Sequence, residues 1–337
     1  MTLLYLGPAE IEELLPVGEC IEVMEDALRE LARGEAVQPL RSVMWLAGPA
    51  GAAGPAGIGG LLGLMPGQIA GVVGIKVITL MPGNRERGEE THLGAVLLFD
   101  TDLGKPLAYL DAAAITAIRT AAVSAVATRA LARADAGDLA LLGAGVQART
   151  HLAALRAVRD LRRVRVWSRR PESAQRFAAA ESARHGLAVE AVGSAAAAVA
   201  GADIVCTVTA ARQPVLAGEW LAPGAHVNAV GACTPAAREL DSAAVAAARL
   251  FVDRRESALH ESGDFLLPLR EGAITPDHIA GELGEVLLGR IAGRQAASAA
   301  SEITLFKSLG LAVEDLAAAF FVYRRAQAQG RGLRLEG

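Results

Sequence analysis

Gly143, Gly145 and Ala148 stand in the G-x-G-x-x-A spacing immediately after the apolar run at residues 139–142. Each small residue has a use. Gly143 permits a tight turn, Gly145 lets backbone N–H groups reach a pyrophosphate, and Ala148 lets a helix pack closely on the strand. A helix starting here offers orphan N–H groups and the positive end of its dipole to phosphate oxygens. The spacing predicts a dinucleotide site on a strand–turn–helix unit, with Val146 and Gln147 among its cofactor contacts. The plainer alternative is an ordinary turn whose small residues serve packing.

The second strand, residues 164–167, ends in Ser168-Arg169-Arg170-Pro171. A site for NAD usually carries Asp or Glu at this tip for the ribose 2′-hydroxyl, whereas Arg accommodates a 2′-phosphate. No acid stands here, so the expected cofactor is NADP(H), with NAD(H) as the alternative. An FAD site would normally want the same acid. The arginines at 162, 163, 165, 169 and 170 form either one phosphate pocket or a solvated edge.

Lys76 interrupts the otherwise apolar run Val72-Val-Gly-Ile-Lys-Val-Ile. A lysine there is costly unless it is paired or functional, or unless it snorkels from an edge strand to water. Arg119 sits in the Ala-rich stretch at 112–134 and Arg41 just ahead of a strand. A guanidinium fork suits bidentate carboxylate binding, but both positions also suit a solvated surface.

The elements that must hold these groups follow from periodicity. Helices are expected at 8–15 and 16–33, the second with Cys20, Val23, Met24, Ala27, Leu28 and Leu31 on one face. Strands are expected at 41–46, 61–66, 72–80, 95–100 and 106–111, with a hairpin turn at 102–104 and a flexible Gly/Pro/Ala connection at 48–60. Then strands alternate with helices: strand 139–142, helix 151–158, strand 164–167, helix 171–185, strand 189–192, helix 195–200 and strand 204–208. Strands at 226–230 and 250–252, a short helix at 281–290 and a C-terminal helix complete the pattern. This predicts a doubly wound parallel sheet of the Rossmann type in the middle of the chain. An α+β module precedes it.

Composition narrows the function classes. A chain of 337 residues suggests about two domains. A net charge of −4 offers no broad basic field for nucleic acid or anionic membrane. The three scattered cysteines argue against a disulfide framework and fit a reducing, cytoplasmic setting. The N-terminus lacks a basic leader, and the Ala-rich run at 191–211 contains Asp203, so no membrane span is expected there. The six histidines show no paired ligand spacing, so no metal site is expected. The stretch His260-Glu-Ser-Gly-Asp264 is a candidate to cap or line a pocket.

Several words together resemble the ornithine cyclodeaminase/mu-crystallin family. They are Gly74-Ile-Lys76-Val, Thr91-His-Leu-Gly, Ile115-Thr-Ala-Ile-Arg119-Thr-Ala-Ala, Leu142-Gly-Ala-Gly-Val-Gln147-Ala, Asn228-Ala-Val-Gly231, Arg238-Glu-Leu-Asp241 and Thr304-Leu-Phe-Lys307-Ser308-Leu-Gly310. They keep the family's order from about residue 40 to residue 320.

The resemblance implies a homodimer. It assigns residues 1–120, joined by a helix at 312–330, to substrate binding and dimerisation, and residues 121–311 to a Rossmann domain. It also implies chemistry at a carbon–nitrogen bond beside a carboxylate, with Lys76, Arg119 and Arg41 holding that carboxylate and Lys76 and Arg119 catalytic. Thr91, Thr209, Ala210 and Ser308, with Lys307, match positions near the cofactor.

Two departures matter. Cys233 stands where a cyclodeaminase has an Asp, and Gly63 where it has a Glu for a distal ammonium. They favour reduction of a preformed cyclic ketimine, pyrroline-2-carboxylate or piperideine-2-carboxylate, to proline or pipecolate. Ornithine or lysine cyclodeamination, an alanine-dehydrogenase-like oxidation, and non-catalytic NADP(H) or small-ligand binding of the mu-crystallin kind stay open.

Overall fold

A computed structural model describes residues 2–47, 58–89, 91–294 and 300–336. The chain divides into two units, Met1–Arg119 with Leu311–Gly337, and Thr120–Gly310. The first begins with β1 (Thr2–Leu6), α1 (Pro8–Leu14), α2 (Val17–Arg33), β2 (Ser42–Ala47), β3 (Ile58–Ile69), β4 (Val72–Leu80), β5 (His92–Asp100) and β6 (Pro106–Asp111). Helix α3 (Ala112–Leu131) then carries the chain into the second unit.

There follow β7 (Asp138–Leu142), α4 (Val146–Arg156), β8 (Arg163–Trp167), α5 (Pro171–His185), β9 (Val189–Ala191), α6 (Ala195–Val199), β10 (Ile204–Thr207) and β11 (His226–Ala229). The unit is completed by α7 (Ser242–Ala247), β12 (Ala248–Val252), α8 (Arg255–Glu261), α9 (Gly263–Arg270), β13 (Ile279–Glu282), α10 (Leu283–Leu287) and β14 (Ile303–Lys307). Helix α11 (Ala312–Gln329) and β15 (Leu333–Glu336) belong to the first unit again.

The first unit is built on a seven-stranded sheet of order β15-β1-β6-β5-β4-β3-β2. All its neighbours run antiparallel except β1 and β6. Helix α11 packs on β3, β4 and β5 and on α2. In α2, Cys20, Ile21, Met24, Ala27, Leu28 and Leu31 form the buried stripe, and Gly34 ends the helix at φ +77°. The β5–β6 turn is held by Asp100, whose carboxylate accepts from the N–H groups of Asp102, Leu103 and Lys105.

The second unit carries an eight-stranded, wholly parallel sheet of order β13-β12-β14-β11-β10-β7-β8-β9. Strands β10 and β11 are buried along their whole length, which is why their sequences do not alternate. From β7 the order runs outward in both directions. The reversal between β7 and β10 opens a crevice at the carboxyl ends of those strands, where open α/β sheets bind ligands.

The differences from expectation have physical causes. Residues 48–57 of the expected flexible connection lie outside the described residues, while its last three residues, 58–60, begin β3. A side chain at Gly60 would overlap Met81 Sδ and the Leu80 carbonyl. Close strand approach, and not turn formation, explains that glycine.

Strands β1, β13, β14 and β15 escape periodicity because they are four or five residues long. Gly281 and Glu282, expected in a helix, belong to β13, and the helix is only Leu283–Leu287. Helix α4 starts at Val146, before the apolar period becomes visible. Helix α3 is long and apolar enough to cross a membrane, yet 72% of that window is buried within the chain, as in the core helix of a globular fold.

Candidate active site

Strand alternation puts Lys76 on the inner face of the first sheet. It lies opposite Met65 of β3 and Val96 of β5, both buried. Two residues away on the same face, Gly74 admits helix α11: a Cβ there would come within 2.7 Å of Leu316 Cδ2. The register therefore turns Lys76 toward the start of α11, where Glu314 and Asp315 occupy the first turn.

Lys76 Nζ forms an ion pair of 2.5 Å with Asp315 Oδ2 and lies 3.4 Å from Thr116 Oγ1 of α3. One turn further along α3, Arg119 donates from Nε to Asp315 Oδ1 at 2.7 Å and from Nη1 to Glu314 Oε2 at 2.9 Å. Glu314 Oε2 also accepts the Leu311 N–H at 3.1 Å. All four charged side chains are at least 96% buried. Arg41, half-buried, stands close enough for its charge to act on Lys76. One carboxylate on α11 thus orients two cations from different elements, and three expected substrate-binding residues share one neighbourhood.

Burial pushes the Lys76 ammonium down to about 8, with Arg119 and Arg41 acting in the same direction and Asp315 resisting. Burial alone would raise the Asp315 carboxyl, but Arg119 and Lys76 outweigh it and hold it below the usual range. Asp315 is therefore an anion at neutral pH. Lys76 is a cation that releases its proton within reach of physiological pH, the condition for a general acid or base.

The second unit supplies a separate set of groups. Gly143 has φ +123°, and a Cβ there would come within 2.7 Å of the Val208 carbonyl. Its N–H donates to the Trp167 carbonyl at 2.8 Å, tying the β7 turn to the end of β8. Around a Cβ at Gly145 nothing lies within 4 Å, and no side chain caps α4. Val146 is exposed, and Gln147 Oε1 is buried without a hydrogen-bond partner. An open glycine turn and an uncapped helix start, both presenting N–H donors, fit the pyrophosphate of a dinucleotide.

Ser168, Arg169 and Arg170 lie beyond the carboxyl end of β8, the strand beside β7, with both arginines exposed. Thr209 and Ala210 follow β10, on the other side of β7. Ser308 follows β14, its N–H donating to the Ala229 carbonyl at 3.0 Å, and its hydroxyl is buried without a partner. Thr91 lies in the first unit, at the turn entering β5, with Oγ1 3.1 Å from His92 Nδ1.

The arginine run does not form one pocket. Arg165 is buried and donates to the carbonyls of Ala197 and Ala200 at the end of α6. Arg162 reaches the Asp135 carbonyl. Strand alternation sends Arg165 into the layer beneath the sheet, which leaves Arg169 and Arg170 at the tip. Among the described residues no group of His, Cys, Asp and Glu is arranged to hold a metal ion. Cys233 is half-buried, its thiol donating to the Val230 carbonyl at 3.4 Å. At Gly63 a Cβ would make only ordinary contacts of 3.5 Å or more.

Glu314 and Asp315 carry no mark of this role in the sequence. Two acids at the head of an apolar helix read as helix-dipole partners, and only the tertiary approach of α3 and β4 makes them counter-ions. The lone apolar-strand lysine was the available signal, since it required a buried acid somewhere.

The ornithine cyclodeaminase/mu-crystallin family model matches residues 4–330, and the chain belongs to that family. Among relatives, a Delta(1)-pyrroline-2-carboxylate reductase of Bacillus cereus is 37% identical over 337 residues, covering 99% of this chain and 100% of the relative. The ketimine reductase mu-crystallin of Mus musculus is 41% identical over 325 residues, covering 95% and 96%. The solved structure of Thermococcus litoralis Delta(1)-pyrroline-2-carboxylate reductase in complex with NADH and L-proline superposes with a TM-score of 0.92 at 39% identity, covering 98% of this chain and 99% of that one.

Proposed function

We propose that this chain is a nicotinamide-dependent reductase of cyclic ketimines, converting pyrroline-2-carboxylate or piperideine-2-carboxylate to proline or pipecolate. The observation that carries the reading is the Lys76–Asp315–Arg119 cluster, a cationic pair oriented by one buried carboxylate. Arg119 and Arg41 bind the substrate carboxylate, and Lys76 stabilises it and keeps the imine nitrogen protonated. Protonation makes the ring carbon electrophilic. A bound reduced nicotinamide supplies the hydride. Gly143, Gly145, Val146 and Gln147 hold the pyrophosphate, with Thr91, Thr209, Ala210 and Ser308 as further cofactor contacts.

The relatives named as pyrroline-2-carboxylate and ketimine reductases support this substrate class. Gly63 and Cys233 support it over cyclodeamination, because neither offers a carboxylate to a diamine substrate. Turnover of a panel of cyclic ketimines, ornithine, lysine and alanine, followed by nicotinamide absorbance, tests the assignment. Ketimine reduction with no ammonia release from ornithine is the expected outcome. Ammonia release from ornithine, or saturable cofactor binding without turnover, contradicts it.

The reaction needs Lys76 protonated. With its ammonium at about 8, kcat/KM for pyrroline-2-carboxylate should hold at lower pH and fall as pH rises through that value, because kcat/KM reports the free enzyme. A profile flat well above it removes Lys76 from the proton-donating role.

We further propose a preference for NADP(H), with Ser168, Arg169 and Arg170 around the 2′-phosphate. The double change Arg169→Ala/Arg170→Ala should weaken NADPH binding by about 10- to 100-fold, the worth of one or two charged hydrogen bonds. NADH binding should be unchanged, and titration of both cofactors checks this. A homodimer goes with this reading, supported by the exposed Val43 and Trp45, which strand alternation puts on one face of β2 at the edge of the sheet. So does a cytoplasmic location, supported by three free cysteines.

A further inference from the structure

The loops after β10 and β11 meet at one buried carboxylate that the proposed reaction does not use. Glu239 Oε1 accepts the N–H of Thr209 at 2.7 Å and its hydroxyl at 2.6 Å, and Oε2 accepts the N–H of Gly231 at 2.7 Å. The approach is close: a Cβ at Gly231 would overlap the Thr209 carbonyl and lie 2.7 Å from the Glu239 carboxyl carbon. Glu239 is itself fixed from behind. Its N–H and that of Leu240 donate to Asp264 Oδ1 at 2.8 and 3.1 Å, and Asp264 Oδ2 forms an ion pair of 3.0 Å with Lys307. Lys307 ends β14, one residue before Ser308. Glu239, Asp264 and Lys307 are all buried.

The network therefore joins the carboxyl ends of β10, β11 and β14. These lie on the side of the crevice away from β8. If the pyrophosphate lies on the β7 turn and the adenosine ribose at the β8 tip, as dinucleotides do on this sheet, the β10 and β11 loops face the other half of the cofactor. A carboxylate that accepts three donors from two loops fixes their spacing, and second-sphere bonds of this kind set how accurately reacting groups are held.

We propose that Glu239 is a positioning residue for the nicotinamide half of the cofactor, acting through Thr209 and Gly231. This rests on the ketimine-reductase reading. Glu239→Gln turns one acceptor into a donor facing an N–H, so it breaks one arm of the staple at constant volume. Misplacement of about 1 Å costs on the order of 100-fold in rate, and that is the fall in kcat/KM for pyrroline-2-carboxylate expected here. Affinity for adenosine 2′,5′-bisphosphate, which engages only the β7 turn and the β8 tip, should stay that of the unmodified enzyme.

Thr209→Val removes only the hydroxyl arm and should cost about tenfold. It decides the matter should Glu239→Gln fail to fold. A folded Glu239→Gln enzyme with undiminished turnover overturns the proposal. So does a variant that loses adenosine 2′,5′-bisphosphate affinity in step with turnover, since that marks a general loss of structure. Should Glu239→Gln fail to fold, undiminished turnover in Thr209→Val overturns it as well. Failure of the unmodified enzyme to reduce any ketimine refutes the underlying reading instead.

Discussion

Replacing Lys76 by Met should lower ketimine turnover by about a thousand-fold while leaving NADPH affinity intact. The ammonium is engaged by Asp315 and Thr116 and is not among the groups assigned to the cofactor, so cofactor affinity should hold. General acid catalysis contributes about 100- to 10,000-fold, and Lys76 also stabilises the bound carboxylate. Methionine nearly conserves the volume between Met65, Val96 and α11, which separates lost charge from lost packing. Asp315 keeps its hydrogen bond from Arg119, so folding should survive with a lowered Tm. Turnover within a few-fold of the unmodified enzyme would show that Lys76 has been given the wrong role.

Arg119→Lys should act on binding first and on stability as well. Arg119 reaches Asp315 and Glu314 from different nitrogens of one planar group, which a lysine ammonium cannot reproduce. KM for pyrroline-2-carboxylate should rise by about 100-fold, the worth of a charged bidentate contact. The change also weakens the pairing of two buried carboxylates, but Asp315 keeps Lys76 and Glu314 keeps the Leu311 N–H. The loss of stability should therefore stay below that of a fully unpaired buried charge, about 3–5 kcal/mol. Thermal unfolding should register that loss, and steady-state kinetics the rise in KM. A variant with both parameters unmoved would mean that the cluster neither binds substrate nor supports the fold.

How much of this was legible beforehand depends on the range of the interactions. The parallel sheet of the second unit is readable because buried strands such as residues 139–142 are continuous apolar runs bounded by glycine or polar turns. Gly143 and Gly145 announced the turn through backbone demands that are local. The hairpins of the first unit are readable as apolar runs separated by turn residues, with β4 and β6 matching their expected limits.

Tertiary pairing was not readable. Strand β1 is a strand because β6 and β15 flank it, and Gly60 belongs to a strand because Met81 passes over it. The candidate site divides along the same line. Lys76 stood out because a charge in an apolar strand is costly, whereas Asp315, more than two hundred residues away, carries no local mark of its role. Glu239 is silent for the same reason, since its partners Thr209 and Gly231 reach it only through the parallel packing of β10 on β11.

The proposed reaction transfers hydride from the nicotinamide to an imine carbon beside a carboxylate. It is tested most directly with pyrroline-2-carboxylate and NADPH deuterated at the transferring position of the nicotinamide. Proline carrying one deuterium at its α-carbon, in a single configuration, is the predicted product. Proline without deuterium, or no proline at all while the cofactor binds, would contradict the account.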